Sequence, residues 1–383
     1  MTAAQWLEVL VSYSVQVLIV IAACRLIERS IPRTQDRCAI WNTCFFSILI
    51  LGCSSVLLPR LHLLQPWSRL QPHALLSVST AQAVIGEMLL AVWCIGASVS
   101  LVQWMTRGYY LRRTLRQCER LSDVEVQRLL GMTQTEAADG TLPVLLISND
   151  SDGPFCWQLH QPTVVLPRFL LDGNQDDLRH VLVHELEHLK TNHPFQLFMQ
   201  HLVQVVCWFH PAVWNAGCWA SLVREFSCDE AAAAQGANSA AYLRTLLHIA
   251  ERCEQKKNAS AIAFGRTPSE IALRARRLVE MSKGTNQTER RGRLGKRGAT
   301  CLLAVLTCLL CLVWIPTDPL ASTRSVWSPW PKWTANTLHC FGINLRDYEQ
   351  YDRRTQAYEI MRWGDRQQEP CEDSTDVKLS RTI

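Results

Sequence analysis

Two stretches of the chain, residues 38–59 and 298–317, contain no Asp, Glu, Lys or Arg. Each matches the ~20 residues needed to cross a hydrocarbon layer of ~30 Å. Two further apolar runs, about 3–24 and 84–105, are interrupted only by Glu8 and Glu87. The pattern predicts four membrane-spanning helices. The first run resembles a signal peptide in length, but its basic residues Arg25, Arg29, Arg33 and Arg37 follow it instead of preceding it. That order predicts a retained anchor.

Between the third and fourth apolar runs the periodicity changes. Residues 142–148 and 163–166 are short β-rich runs bounded by Gly140, Pro143, Pro162 and Pro167, and predict strands. From Asp176 the apolar positions Leu178, Val181, Leu182, Leu186 and Leu189 recur with a helical period until Pro194. Further helices are predicted over about 195–209, 211–234, 239–253 and 268–282. No charged residue occurs over 191–223, although glutamine, histidine and asparagine interrupt the stretch. Two readings stay open for it: a helical hairpin in the core of a soluble domain, or one lying against the bilayer. Polar residues every few positions favour the protein-packed hairpin.

Composition narrows the class. The chain has 383 residues, 48% hydrophobic and 19% charged, with a net charge of +5. That balance excludes a disordered chain and a collagen-like repeat, and it argues against a wholly soluble protein. The positive charge is gathered beside the apolar runs: Arg25 to Arg37, then Arg107, Arg112, Arg113 and Arg116, then Arg290, Arg291, Arg293, Lys296 and Arg297. Basic clusters on one side set topology. They predict an N-terminus outside, a cytoplasmic region between the third and fourth spans, and no direct nucleic-acid binding. The expected layout is three spans with loops over 1–105, a cytoplasmic domain of mixed structure over 106–283, a basic flexible linker over 284–298, a fourth span over 299–316, and an extracytoplasmic tail over 317–383. The 16 cysteines do not form a disulfide framework, because Cys44, Cys53, Cys94, Cys301, Cys308 and Cys311 sit in apolar runs. Cys340 and Cys371, in the polar tail, are the pair open to oxidation.

The chemistry lies on the strongest helical pattern. His184, Glu185, Leu186, Glu187 and His188 form an H-E-x-x-H motif. Histidines four apart share a helix face, so both imidazoles can bind one Zn²⁺, while Glu185 can reach a water at the metal's open position and act as general base. Downstream, Glu225 and Asp229 form E-x-x-x-D on a second predicted helix. Glu225 is the candidate third ligand and Asp229 the candidate hydrogen-bond partner of a ligating histidine. Of the competing residues, His193 is expected off the motif face, in a supporting or surface position. Glu187 is expected in solvent, His201 and His210 in packing roles, and Cys228 and His180 as minor alternative ligands.

With these residues in view, the chain resembles the BlaR/MecR-type integral-membrane zinc metallopeptidases, the bla-regulator and mec-regulator sensor-transducers of beta-lactam resistance. The resemblance covers about residues 1–316. It rests on the membrane segments, the extended run Gln161 to Pro167, the H-E-x-x-H motif, the aromatic-proline stretch Cys207 to Trp214, Arg224 to Glu230, and a basic helix around Leu273 to Leu278. It implies an α-helical membrane protein with an α+β cytoplasmic zincin domain of gluzincin type, with His184, His188 and Glu225 on zinc, Glu185 catalytic and Asp229 supporting. The expected activity is a zinc-dependent endopeptidase of regulated proteolysis in a bacterial inner membrane, acting on a repressor-like cytoplasmic protein or on its own linker near Arg290 and Arg291. The alternatives are a constitutive quality-control peptidase of membrane proteins and a non-catalytic zinc-containing transducer. Trp208, Phe209 and Trp214 read as packing residues, and the strand near Val164 as an open edge on which an extended peptide could pair. The well-known members carry a penicillin-binding sensor with a nucleophilic Ser-x-x-Lys. Thr317 to Ile383 is too short for that fold and lacks the motif, so acylation by a beta-lactam is not expected.

Overall fold

The computed structural model describes residues 3–59, 61–62, 72–133, 142–149, 153–158, 161–235, 239–257, 268–282, 295–314 and 332–343. Arg290, Arg291 and Cys371, and with them the expectations of linker cleavage and a tail disulfide, lie outside the described residues. The chain is mostly helical. It divides into two compact units, one comprising Met1–Val15, Leu51–Val92 and Cys308–Ile383, the other Gln16–Ile50 and Trp93–Thr307.

Three helices near the N-terminus are long and apolar enough to cross a membrane: α1 (Ala3–Glu28), α2 (Thr34–Leu57) and α3 (Pro72–Gln117). α3 has 46 residues, a length of about 69 Å at 1.5 Å per residue, so it far exceeds the third predicted span. Its side chains Met88, Ile95, Val102 and Met105 are exposed, as suits a helix whose solvent is lipid. In α1 the polar Glu8, Ser12 and Gln16 are buried instead, the usual placement of polar groups in a span. The fourth apolar run forms α11 (Lys296–Leu312), a helix of 17 residues, at the short end for crossing a bilayer. In the first unit, β1 (Leu61–His62) pairs in parallel with β6 (Val313–Trp314), and α12 (Lys332–Cys340) follows.

The second unit carries a four-stranded sheet in the order β2-β3-β5-β4, formed by β2 (Glu119–Arg120), β3 (Val144–Ser148), β4 (Phe155–Gln158) and β5 (Pro162–Pro167). α4 (Asp123–Thr133) lies between β2 and β3 in sequence. β3 and β5 are parallel, with Leu146 opposite Val165; β4 is antiparallel to β5, with Cys156 opposite Val164. The expectation that the strand near Val164 is an open edge is therefore wrong. β5 is paired on both sides, and among the described residues β2 and β4 are the edges.

After α5 (Arg168–Leu171) come α6 (Gln175–Lys190), α7 (His193–Val206), α8 (Pro211–Gln235), α9 (Ser239–Lys257) and α10 (Pro268–Ser282). α6 is buried on two faces. Leu178, Val181, Leu182 and Leu189 pack with Leu145, Val164 and Leu166 of the sheet, while Val183 packs with Ala232, Ala233, Tyr242, Leu246 and Leu278. The Asn174 side chain caps its start by accepting from the Asp176 amide, and two aspartates favour the positive end of its dipole. It ends at Asn192, whose φ of 57° is left-handed. The chain reverses there, with Pro194 at the start of α7.

α7 and α8 form the uncharged hairpin. Gly217 lets them approach, since a Cβ there would stand 2.5 Å from Gln204 Nε2 and 2.9 Å from Gln200 Nε2. Both glutamines are buried, so these two of the polar residues that interrupt the apolar run lie between helices, while Asn215 is exposed. Trp208, in the turn, lies against α3. Its Nε1 donates to the Trp93 carbonyl, Trp93 Nε1 donates to the Val206 carbonyl, and a Cβ on Gly96 would fall 2.1 Å from the Trp208 ring.

Candidate functional site

α6 sets His184 and His188 one turn apart, and α8 passes beside it carrying Glu225 and Asp229. The side chains meet. His184 Nε2 and His188 Nε2 are 3.3 Å apart, and they lie 3.5 and 3.6 Å from the two carboxylate oxygens of Glu225. Four ligands at ~2.0–2.1 Å around a tetrahedral ion are separated by ~3.3–3.4 Å from one another. The two imidazole nitrogens already have that separation, and each lies close to it from one or the other oxygen of Glu225, with one donor atom from each residue within 4.8 Å of the others. Two imidazole nitrogens and a carboxylate directed at one point are the donor chemistry that a zinc ion takes, so the set fits a metal.

The far side of His184 is tied down. Its Nδ1 is 3.2 Å from Asp229 Oδ1 and 3.0 Å from the Tyr242 hydroxyl, which itself donates to Asp229 Oδ1 at 2.7 Å. With a carboxylate on each side, Asp229 at Nδ1 and Glu225 at Nε2, the metal-free ring is held as the imidazolium; metal loading would release the Nε2 proton while Asp229 keeps the one on Nδ1. Arg274 of α10 holds this carboxylate in turn, through Nε to Oδ2 at 2.8 Å and Nη2 to Oδ1 at 2.6 Å, and its Nη1 is 2.9 Å from Glu225. One buried guanidinium thus braces both carboxylates.

The electrostatics follow from that bracing. Burial alone would raise the Asp229 carboxyl, but Arg274 and His184 outweigh it and hold it well below the usual range. Burial pulls His184 down, yet hydrogen bonds to Asp229 and Glu225 bring it up to about 9. Tyr242 is raised by burial and by Asp229, so its hydroxyl stays a donor.

Glu185 is buried and, with His188 and Glu225, lines a cavity of about 660 Å³. β4 contributes Phe155 and Trp157 to the wall, and α3 contributes Trp104 and Tyr109. The lining is largely apolar. Arg224, one residue before Glu225, also reaches it. Burial lowers its guanidinium to about 10, still a cation at neutral pH.

The other candidate residues lie around this centre. Of the two places expected for His193, supporting or surface, it takes the supporting one: the left-handed turn at Asn192 folds it back, buried, until its Nδ1 is 3.0 Å from His188 Nδ1. Burial, His188 and Arg224 push it well below the usual range, so it is neutral. Glu187 is buried rather than solvated, and burial raises its carboxyl against the partial offset of Lys190. His180 bonds Thr245 Oγ1 and meets the Tyr242 ring edge-on. Cys228 lies 3.5 Å from His193 Nδ1, and His188, His193 and Cys228 form a second possible metal group. Burial and the carboxylates of Glu225 and Glu185 raise the Cys228 thiol well above its usual range. That makes it a poor thiolate donor. Tyr242 and Arg274 carry no motif of their own; the basic character of the helix around Leu273 to Leu278 was the available signal.

Comparison with known proteins places the chain in a peptidase family. A family model described as BlaR1 peptidase M56 matches residues 4–278. The regulatory protein BlaR1 of Bacillus licheniformis is 24% identical over 150 residues, covering 39% of this chain. The match spans 25% of that relative's length.

Proposed function

The chain belongs to the M56 family of BlaR1 peptidases, and from that membership and the converging donors we propose that it is a membrane-embedded zinc endopeptidase of regulated proteolysis. The observation that carries the reading is the triangle of His184, His188 and Glu225, with Glu185 buried beside it on the wall of an apolar cavity. His184, His188 and Glu225 would hold the metal. Asp229 and Tyr242 fix the His184 tautomer, His193 takes the corresponding place on His188, and Arg274 keeps the two carboxylates in register.

A bound zinc supplies a Lewis acid and a water of lowered pKa at the open position. Glu185 takes the proton from the attacking water and returns it to the departing amine. The edge strand β4 lies along the cavity, so an extended peptide can pair with its free side by backbone hydrogen bonds and lie across Glu185. Enclosure by apolar walls excludes bulk water and strengthens these interactions.

In the proposed layout residues 1–105 form three spans, 106–283 a cytoplasmic peptidase domain, 284–298 a linker, 299–316 a fourth span and 317–383 an extracytoplasmic tail. The substrate is a cytoplasmic repressor-like protein or the linker itself. The test compares wild type and Glu185→Ala, both in lipid nanodiscs with zinc measured, against a proteome-derived peptide library and for cleavage near Arg290 and Arg291. Cleavage by wild type alone, at equal zinc content, is expected. Identical product patterns from the two proteins would refute the peptidase reading.

A further inference from the structure

The cavity carries a charge that the chemistry above does not use. Arg224 is 5% exposed, yet its hydrogen bonds go to neutral groups, from Nη2 to Gln200 Oε1 at 2.6 Å and to Ser221 Oγ at 2.9 Å. Among the described residues the carboxylate that favours its charge is Glu225, its neighbour in the chain, which acts at a distance while bonding Arg274 instead. Arg274 presents the contrast, a buried guanidinium braced by two carboxylates. A buried cation left to neutral acceptors is costly to keep, and it persists where an anion arrives to complete it.

Its position suggests which anion. Arg224 precedes Glu225 on α8, turned by about 100° around the helix axis, and both line the same cavity. Glu185 and Glu225 belong to the hydrolytic centre. Away from that centre the charged lining consists of Arg224 and, toward α3, the exposed Arg107 and Arg112. Between them stand aromatic walls, with the Trp104 and Phe198 ring centroids 5.2 Å apart, and Phe155 and Trp157 of the edge strand. The site therefore selects for apolar bulk with one negative charge.

We propose that Arg224 is a specificity determinant that recognises an Asp or Glu side chain of the substrate, close to the scissile bond and flanked by apolar or aromatic residues. The proposal rests on the peptidase reading and names its substrate class. A planar guanidinium pairs with a carboxylate through two parallel hydrogen bonds, which an amide isostere cannot reproduce. The α3 arginines, in solvent, steer acidic segments toward the cavity without fixing the register.

The experiment measures binding, so it does not depend on turnover. Zinc-loaded Glu185→Ala protein in nanodiscs is titrated with labelled, C-terminally amidated peptides of apolar and aromatic residues, in which one Glu or its isostere Gln is moved along the sequence. At one position the Glu peptide is expected to bind at least about tenfold more tightly than its Gln twin, a difference of about 1.4 kcal/mol. Arg224→Met in the same background should remove that difference, Arg224→Lys should restore part of it, and Arg107→Gln with Arg112→Gln should leave it in place. Equal binding of Glu and Gln peptides at every position overturns the proposal without any mutant having to fold. So does a preference that survives Arg224→Met, or one lost in the α3 double variant instead. A Gln peptide with a free terminus that matches the Glu peptide would assign the charge to a terminal carboxylate. Displacement of peptide by phosphatidylglycerol, with no Glu preference, would assign the site to a lipid headgroup; either result refutes the side-chain assignment. Selective binding of Glu peptides with no cleavage by wild type would sink the peptidase reading and leave the anion site standing.

Discussion

Three different side chains converge on Asp229: a histidine, a tyrosine and an arginine all bond to it. Asp229→Asn keeps the shape but removes the charge that orients His184, and is expected to weaken metal affinity about 10–100-fold. Competition with a chromophoric chelator reads it. Arg274→Gln leaves two carboxylates braced by no cation and is expected to destabilise the fold by about 3–5 kcal/mol, measured by chemical denaturation. Acidity acts on the same site. In the metal-free protein, burial lowers His184 but Asp229 and Glu225 bring it up to about 9, whereas a metal ligand must be neutral. Loading therefore displaces a proton, so apparent affinity rises with pH toward about 9 and falls on acidification, about tenfold per unit for each proton released. A pH-independent affinity between about pH 6 and pH 8 would contradict this. The spacing of His184, Glu185, His188, Glu225 and Asp229 is written in short motifs, so these residues were visible in the sequence. Arg274 and Tyr242 were not, because they reach Asp229 and His184 across separations of 45 and 58 residues, through helix packing that no local pattern encodes.

At the scale of elements, α6 is rigid because it is packed against the sheet on one face and α8, α9 and α10 on the other. Helix periodicity predicted it well, and α10 runs over the very bounds expected, from Pro268 to Ser282. β2, β4 and α4 were missed: two- and four-residue strands carry too little alternation to register. Sheet order was equally hidden, since β5 inserts between β3 and β4, and the misplaced edge at Val164 followed from that. Two substitutions test the joints. Asn192→Val, in a left-handed position, is expected to cost about 1–2 kcal/mol and to loosen His193 from His188, whereas Asn192→Gly is tolerated. Gly96→Leu drives a side chain into the Trp208 ring and is expected to cost about 1–3 kcal/mol, read as a lowered thermal midpoint in detergent.

At the scale of the whole molecule, this is a membrane protein of a peptidase family in which the helices carrying the candidate site touch candidate spans directly. Trp219 of α8 donates to Glu28 at the end of α1, and Thr34 of α2 bonds Glu230 of α8, which Arg277 of α10 also holds. Helices bearing Glu225 and Arg274 are thus tied to the α1–α2 corner. The apolar runs without charge and the clustered arginines announced the membrane character, while these ties depend on pairs far apart in the chain. The most direct measurement is zinc stoichiometry across a set of purified variants. Wild type, Glu185→Ala and Cys228→Ala are each expected to retain about one equivalent, while His184→Ala, His188→Ala and Glu225→Ala lose it. Full retention in Glu225→Ala, or loss in Cys228→Ala, would contradict the account.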